Sequence, residues 1–127
     1  MSPDAELSAR IVLFLSMAVA GGMLLWLARA TVTGRLKRNT WAGIRTPSTL
    51  ASDEAWLVAH QRAQRSTIWA AVFAFIGCGF TLAPVQEEVV YAGVFGGTVA
   101  LLATVLYGAY VGTKAARAID SHDGASR

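Results

Sequence analysis

The residues best suited to chemistry lie between Asn39 and Arg65. This stretch, N-T-W-A-G-I-R-T-P-S-T-L-A-S-D-E-A-W-L-V-A-H-Q-R-A-Q-R, is the one long polar segment of a mostly apolar chain, and it holds two of the four tryptophans. Arg45 stands between a glycine and a Thr-Pro pair, not on a helix face. Its guanidinium is a planar, permanently charged fork. Four settings are open to it: a bidentate bond to a carboxylate, with Glu54 or Asp53 nearest in sequence; the carbonyls that end the first apolar helix; a lipid phosphate; or solvent. His60 can titrate near neutral pH or ligate a metal. It lacks a second His, Cys or acidic residue at ligand spacing, and His122 is remote in the tail, so neither a metal nor a cofactor is expected. The nucleophile elbow, the H-E-x-x-H helix, the phosphate-binding glycine loop and the acid pair within an apolar run are all missing. The pattern points to recognition rather than catalysis, and the protein is not expected to be an enzyme.

Local signals say how this stretch must fold. Gly43 admits backbone angles that other residues avoid. Thr46 precedes proline and is pushed to an extended conformation. Pro47 suits the first position of a helical turn with Thr46 as its cap. Ser52 is a second cap, and Asp53 and Glu54 place negative charge in the first turn beyond it. A helix is expected from about Asp53 toward Arg65 and on into the next apolar segment. On it Trp56, Ala59, His60 and Ala63 share one face by three- and four-residue spacing. Trp56 and His60 are expected to meet the preceding loop, with Trp41 a candidate partner.

The surrounding chain is built for lipid. It has 127 residues, enough for one domain, and 54% are hydrophobic, too many for a soluble domain of this size. Ile11 to Ala28 carries no charge, and the first span is expected over Leu7 to Ala30. A cleaved signal peptide fits less well, because Asp4 and Glu6 precede the run and basic residues follow it. Ser66 to Val85 is a charge-free second span ended by Pro84, and Val89 to Thr113 a third. The short turn between them makes the two a helical hairpin. In the third span Gly93, Gly97, Ala100, Thr104, Gly108 and Gly112 fall on one side at helical pitch, a face on which another helix can pack closely. Whether that partner is the second span, the first or another copy of the chain is open, so a homo-oligomer is among the expectations. Cys78, the one cysteine, lies in an apolar run and allows no intrachain disulfide. The tail from Asp120 to Arg127 is polar and aperiodic, and is expected to fray.

Charge sets the orientation. Arg29, Arg35, Lys37, Arg38, Arg45, Arg62 and Arg65 lie between the first and second spans, whereas the next turn holds only Glu87 and Glu88. The basic loop and the basic start of the tail (Lys114 and Arg117) should therefore be cytoplasmic, with the amino terminus outside. The net charge of +3 reflects this retention and not a nucleic-acid partner, since the basic residues flank apolar spans. The expected fold is an all-α membrane protein with three transmembrane helices and an ordered cytoplasmic loop-helix, Asn39 to Arg65, between the first and second. The bilayer is its first partner.

The stretch G-I-R-T-P-S-T-L, then S-D-E-A-W, then A-H, resembles the membrane domain of the SdpI family. The residues that carry the resemblance are Asn39, Gly43, Arg45, Thr46, Pro47, Thr49, Ser52, Glu54, Trp56 and His60, and the motif covers about a fifth of the chain. It implies a single small membrane domain over residues 1–127, sited in a bacterial plasma membrane and without enzymatic activity. The best-known member confers immunity against a secreted peptide toxin and, with toxin present, holds a cytosolic repressor at the membrane. Longer immunity proteins carry further spans ahead of the motif, where this chain has one. Two readings follow: a binding module of the immunity or signalling type, with a peptide or protein partner at the motif loop, or an accessory subunit docked in a larger membrane complex through the small face of the third span.

Overall fold

The computed structural model describes residues 2–126, with side chains described through Ile119. Its elements are α1 (Pro3–Ala30), α2 (Pro47–Leu50), α3 (Asp53–Leu82) and α4 (Glu87–Ser126). No strand occurs among the described residues. Three helices, α1, α3 and α4, are long and apolar enough to cross a membrane.

The first three helices begin where a local signal tells them to. Ser2 caps α1 with Pro3 in its first turn, Thr46 caps α2, and the Ser52 side chain accepts from the Ala55 amide to start α3. α3 then runs without a break through the polar His60–Arg65 segment into the apolar span. It ends at Leu82, three residues before the expected Val85. The reason is local: Ala83 precedes Pro84 and adopts an extended conformation, with ψ 143°. α4 runs beyond the expected Thr113 to Ser126, while the fraying expected of the tail from Asp120 onward falls outside the residues whose side chains are described.

α3 is the middle helix, with α1 on one side and α4 on the other. Small residues make this possible. Ala70, Ala74 and Gly77 of α3 are buried, and Met17 of α1, Cys78 of α3 and Val90 and Val94 of α4 form a core where the three helices converge. The small face of α4 is turned onto α3. A Cβ built at Gly97 would lie 3.1 Å from the Phe73 carbonyl oxygen, and one at Gly108 would lie 3.0 Å from Ser66 Cβ. At Gly93 the Phe80 ring occupies the space a side chain would need. Between them, Thr104 donates to the Ala100 carbonyl at 2.6 Å, so its hydroxyl is satisfied within its own helix.

Arg10 closes the turn end of the bundle. It donates to the carbonyls of Thr81 (3.2 Å), Ala83 (3.1 Å) and Val85 (2.8 Å), which the end of α3 and the proline turn leave without helical partners. Arg10→Met keeps the apolar stem and removes these bonds. It should lower stability by about 1–3 kcal/mol, read as a drop in unfolding temperature in detergent, with Arg10→Lys in between because one ammonium cannot span three carbonyls.

Candidate functional site

The loop between α1 and α3 folds back onto the first turns of α3. Asn39 starts it: its side-chain oxygen accepts from the amides of Trp41 (2.7 Å) and Ala42 (2.9 Å), and its amide nitrogen donates to the Lys37 carbonyl at 2.6 Å. The chain then turns at Gly43, with φ +98°. A Cβ there would stand 2.7 Å from His60 Nε2 and 2.8 Å from Trp56 Cη2, so glycine is required by backbone angle and by space together.

His60 locks the turn. It is buried, its Nε2 accepts from the Ile44 amide at 2.9 Å, and its Nδ1 lies 2.8 Å from the Trp56 carbonyl. The carbonyl can only accept, so Nδ1 carries the proton and the ring is neutral. Trp56 stacks on it with ring centroids 4.2 Å apart and donates to the Leu36 carbonyl at 3.3 Å. Trp56 and His60 thus meet the loop backbone at Leu36, Gly43 and Ile44. Trp41 is not their partner: it is 87% exposed.

The Thr46–Pro47 step carries a second lock. Thr46 and Thr49 form a reciprocal capping box, and the Thr49 hydroxyl reaches the Ile44 carbonyl at 2.7 Å. Thr49 is fully buried. Thr46 Oγ1 lies 3.4 Å from Thr113 Oγ1, which ties the turn to α4. Gly112 sits beside this contact, close to the Ala59 carbonyl and Ile44.

Arg45 does not reach Glu54 or Asp53. Its guanidinium donates to the Thr40 carbonyl across the turn, and the side chain is exposed. The one ion pair among the described residues is Arg38 with Asp53, at 3.3 Å, and Arg38 also donates to the Leu50 carbonyl at 3.1 Å. Both partners are solvated, so that pair adds little stability. The stretch therefore has two sides. Asn39, Gly43, Thr46, Thr49, Trp56 and His60 build it, while Trp41, Arg45, Pro47 and Glu54 stand outward. The sequence marked Arg45 and Trp56 but gave no outward role to Trp41, whose exposure follows from the turn at Asn39. Among the described residues no cluster of His, Cys, Asp and Glu could hold a metal.

Burial pushes the His60 pKa below its ordinary 6.5, opposed in part by the bond to the Trp56 carbonyl. The folded loop prefers the neutral ring. Its contribution is complete above the unfolded pKa and is lost as pH falls through that value toward the folded one. Protonation would also set an Nε2–H against the Ile44 amide. The loop should become more susceptible to protease between about pH 7 and pH 5, and His60→Gln should flatten that dependence.

These features define a class: a small, multi-pass, all-helical membrane protein with a polar loop unit folded against one end of the bundle. The model of the SdpI/YfhL protein family matches residues 35–112, from the basic linker through most of α4. The chain belongs to that family. Comparison with curated proteins and with solved structures gave no match.

Proposed function

We propose that the chain is a membrane binding module of the immunity or signalling type, with the Asn39–Arg65 unit as its working surface on the cytoplasmic side. The observation that carries this is the division of labour in the loop. Six motif residues are directed at backbone and at each other, and together they hold an exposed tryptophan and an exposed arginine on one short turn. Tryptophan and arginine are the side chains most often found at the energetic centre of protein interfaces. Family membership supports the immunity-type reading, and the retained basic charges of the loop support the cytoplasmic side. No reaction is assigned to the site. The alternative is an accessory subunit of a larger membrane complex; the small face of α4 lies against α3, so such a subunit would dock through another surface.

The test is a photo-crosslinker placed at position 41 or at position 96 of the full chain in cells. Gly96 is exposed with nothing near its Cα substituent position, so it reports lipid. The reading expects a discrete peptide or protein adduct at position 41, lost with Arg45→Ala, and none at position 96. Adducts to the same integral membrane protein from both positions would favour the accessory subunit. Labelling of a cysteine at position 48, but not at 87, by an impermeant reagent in intact Cys78→Ala cells would reverse the proposed orientation.

A further inference from the structure

A groove of about 370 Å³ runs along the last turns of the apolar part of α4, walled on one side by Thr46. Its lining is graded. Ala109 and Tyr110 come first, then Thr113 opposite Thr46, then Lys114 and Arg117. These α4 residues recur three and four apart, so they form one stripe. From Ala109 to Arg117 the stripe rises about 12 Å, and along it the chemistry passes from apolar and aromatic through hydroxyl to cationic. No carboxylate among the described residues lines it. The concavity is a product of the fold. Glycine at position 112 lets α4 approach Ala59 and Ile44, and this approach places Thr46 within 3.4 Å of Thr113.

We propose that this groove binds one anionic phospholipid. Lys114 and Arg117 would take the phosphate, the Thr113 and Thr46 hydroxyls the glycerol ester region, and Ala109 with the Tyr110 ring the first part of an acyl chain. The order of the lining matches the order of groups along a phospholipid crossing from headgroup to hydrocarbon. Two cations without a lining carboxylate match a net negative headgroup. A free anion would use the cationic end alone and leave the apolar half of the groove without a role. The bound lipid would bridge α4 to the Thr46 turn and so bear on the motif loop from the membrane side.

The full chain, purified in mixed micelles of phosphatidylglycerol and phosphatidylcholine, should retain one phosphatidylglycerol by native mass spectrometry. The double variant Lys114→Gln/Arg117→Gln should bind it about 25-fold more weakly, at about fivefold for each of the two charges lost. Arg35→Gln/Lys37→Gln removes the same charge from the linker and should leave retention unchanged. Equal loss in both double variants would mean surface potential alone and would overturn the site. Displacement of the lipid by inorganic phosphate would assign the groove to a free anion and overturn the lipid. Thr113→Val keeps both charges and supplies an independent reading should the charge variant fold poorly. It should weaken binding about fivefold, and unchanged binding would count against the graded groove.

Discussion

Gly43→Ala should dismantle the loop unit. At φ +98° an alanine carries about 1–2 kcal/mol of backbone strain. Its Cβ would also overlap His60 Nε2 and Trp56 Cη2 at 2.7 and 2.8 Å. Relief requires the imidazole to move, and that breaks the bond from the Ile44 amide and leaves buried polar groups unpaired, for a further 1–3 kcal/mol or so. Gly34→Ala separates the two terms. Gly34 has φ +82° with nothing within 4 Å of the added carbon, so it should show the strain alone. Rapid proteolysis within residues 39–52 is expected for Gly43→Ala and not for Gly34→Ala. Equal behaviour of the two would mean that contact with His60 and Trp56 does not hold the turn.

Gly112→Ala should pry α4 from α3 at the loop end. The new Cβ would lie 2.6 Å from the Ala59 carbonyl oxygen, a backbone atom inside a continuous helix, with Ile44 Cδ1 at 3.1 Å. Neither α3 nor α4 can relieve this by a side-chain rotation, so the helices must separate at the loop end, at a cost of about 3 kcal/mol. The same separation would break the Thr46–Thr113 contact. Gly96→Ala on the exposed side meets nothing and should be neutral or slightly stabilising, since alanine favours helix over glycine. Unfolding in detergent should rank wild type and Gly96→Ala together and Gly112→Ala well below. Gly97→Leu and Gly108→Leu belong with Gly112→Ala, and Leu102→Ala and Leu106→Ala with wild type, because both leucines are exposed.

What the sequence made legible was local or periodic. The caps at Thr46 and Ser52 and the restricted turn at Gly43 depend on residues within a few positions, and the shared face of Trp56, Ala59, His60 and Ala63 depends only on helical pitch. All of these appear in the fold. The three apolar spans were legible for the same reason. What remained open were questions of which long side chain reaches which distant backbone. For Arg45 four settings stayed open, the nearest carboxylates among them; the turn at Asn39 brings the Thr40 carbonyl within its reach, and Arg38 takes Asp53. Arg10 carried no assignment in the sequence, and only the antiparallel placement of α1 on α3 shows it capping carbonyls more than seventy residues away. The small face of α4 announced close packing without naming its partner, because any helix with small residues would serve. α3 proves to be that partner, through Ala59, Ala63, Ser66 and Gly77.

The bond from the Ile44 amide to His60 joins the outward turn to the helix, and its exchange with deuterium reports whether that join exists in the protein in a membrane mimetic. The Ile44 amide should exchange far more slowly than the amides of the Arg35–Arg38 linker, and His60→Phe, which cannot accept the bond, should abolish the protection. Exchange of Ile44 at the linker rate in the wild type would contradict a pre-built loop unit and, with it, the surface on which recognition is proposed to occur.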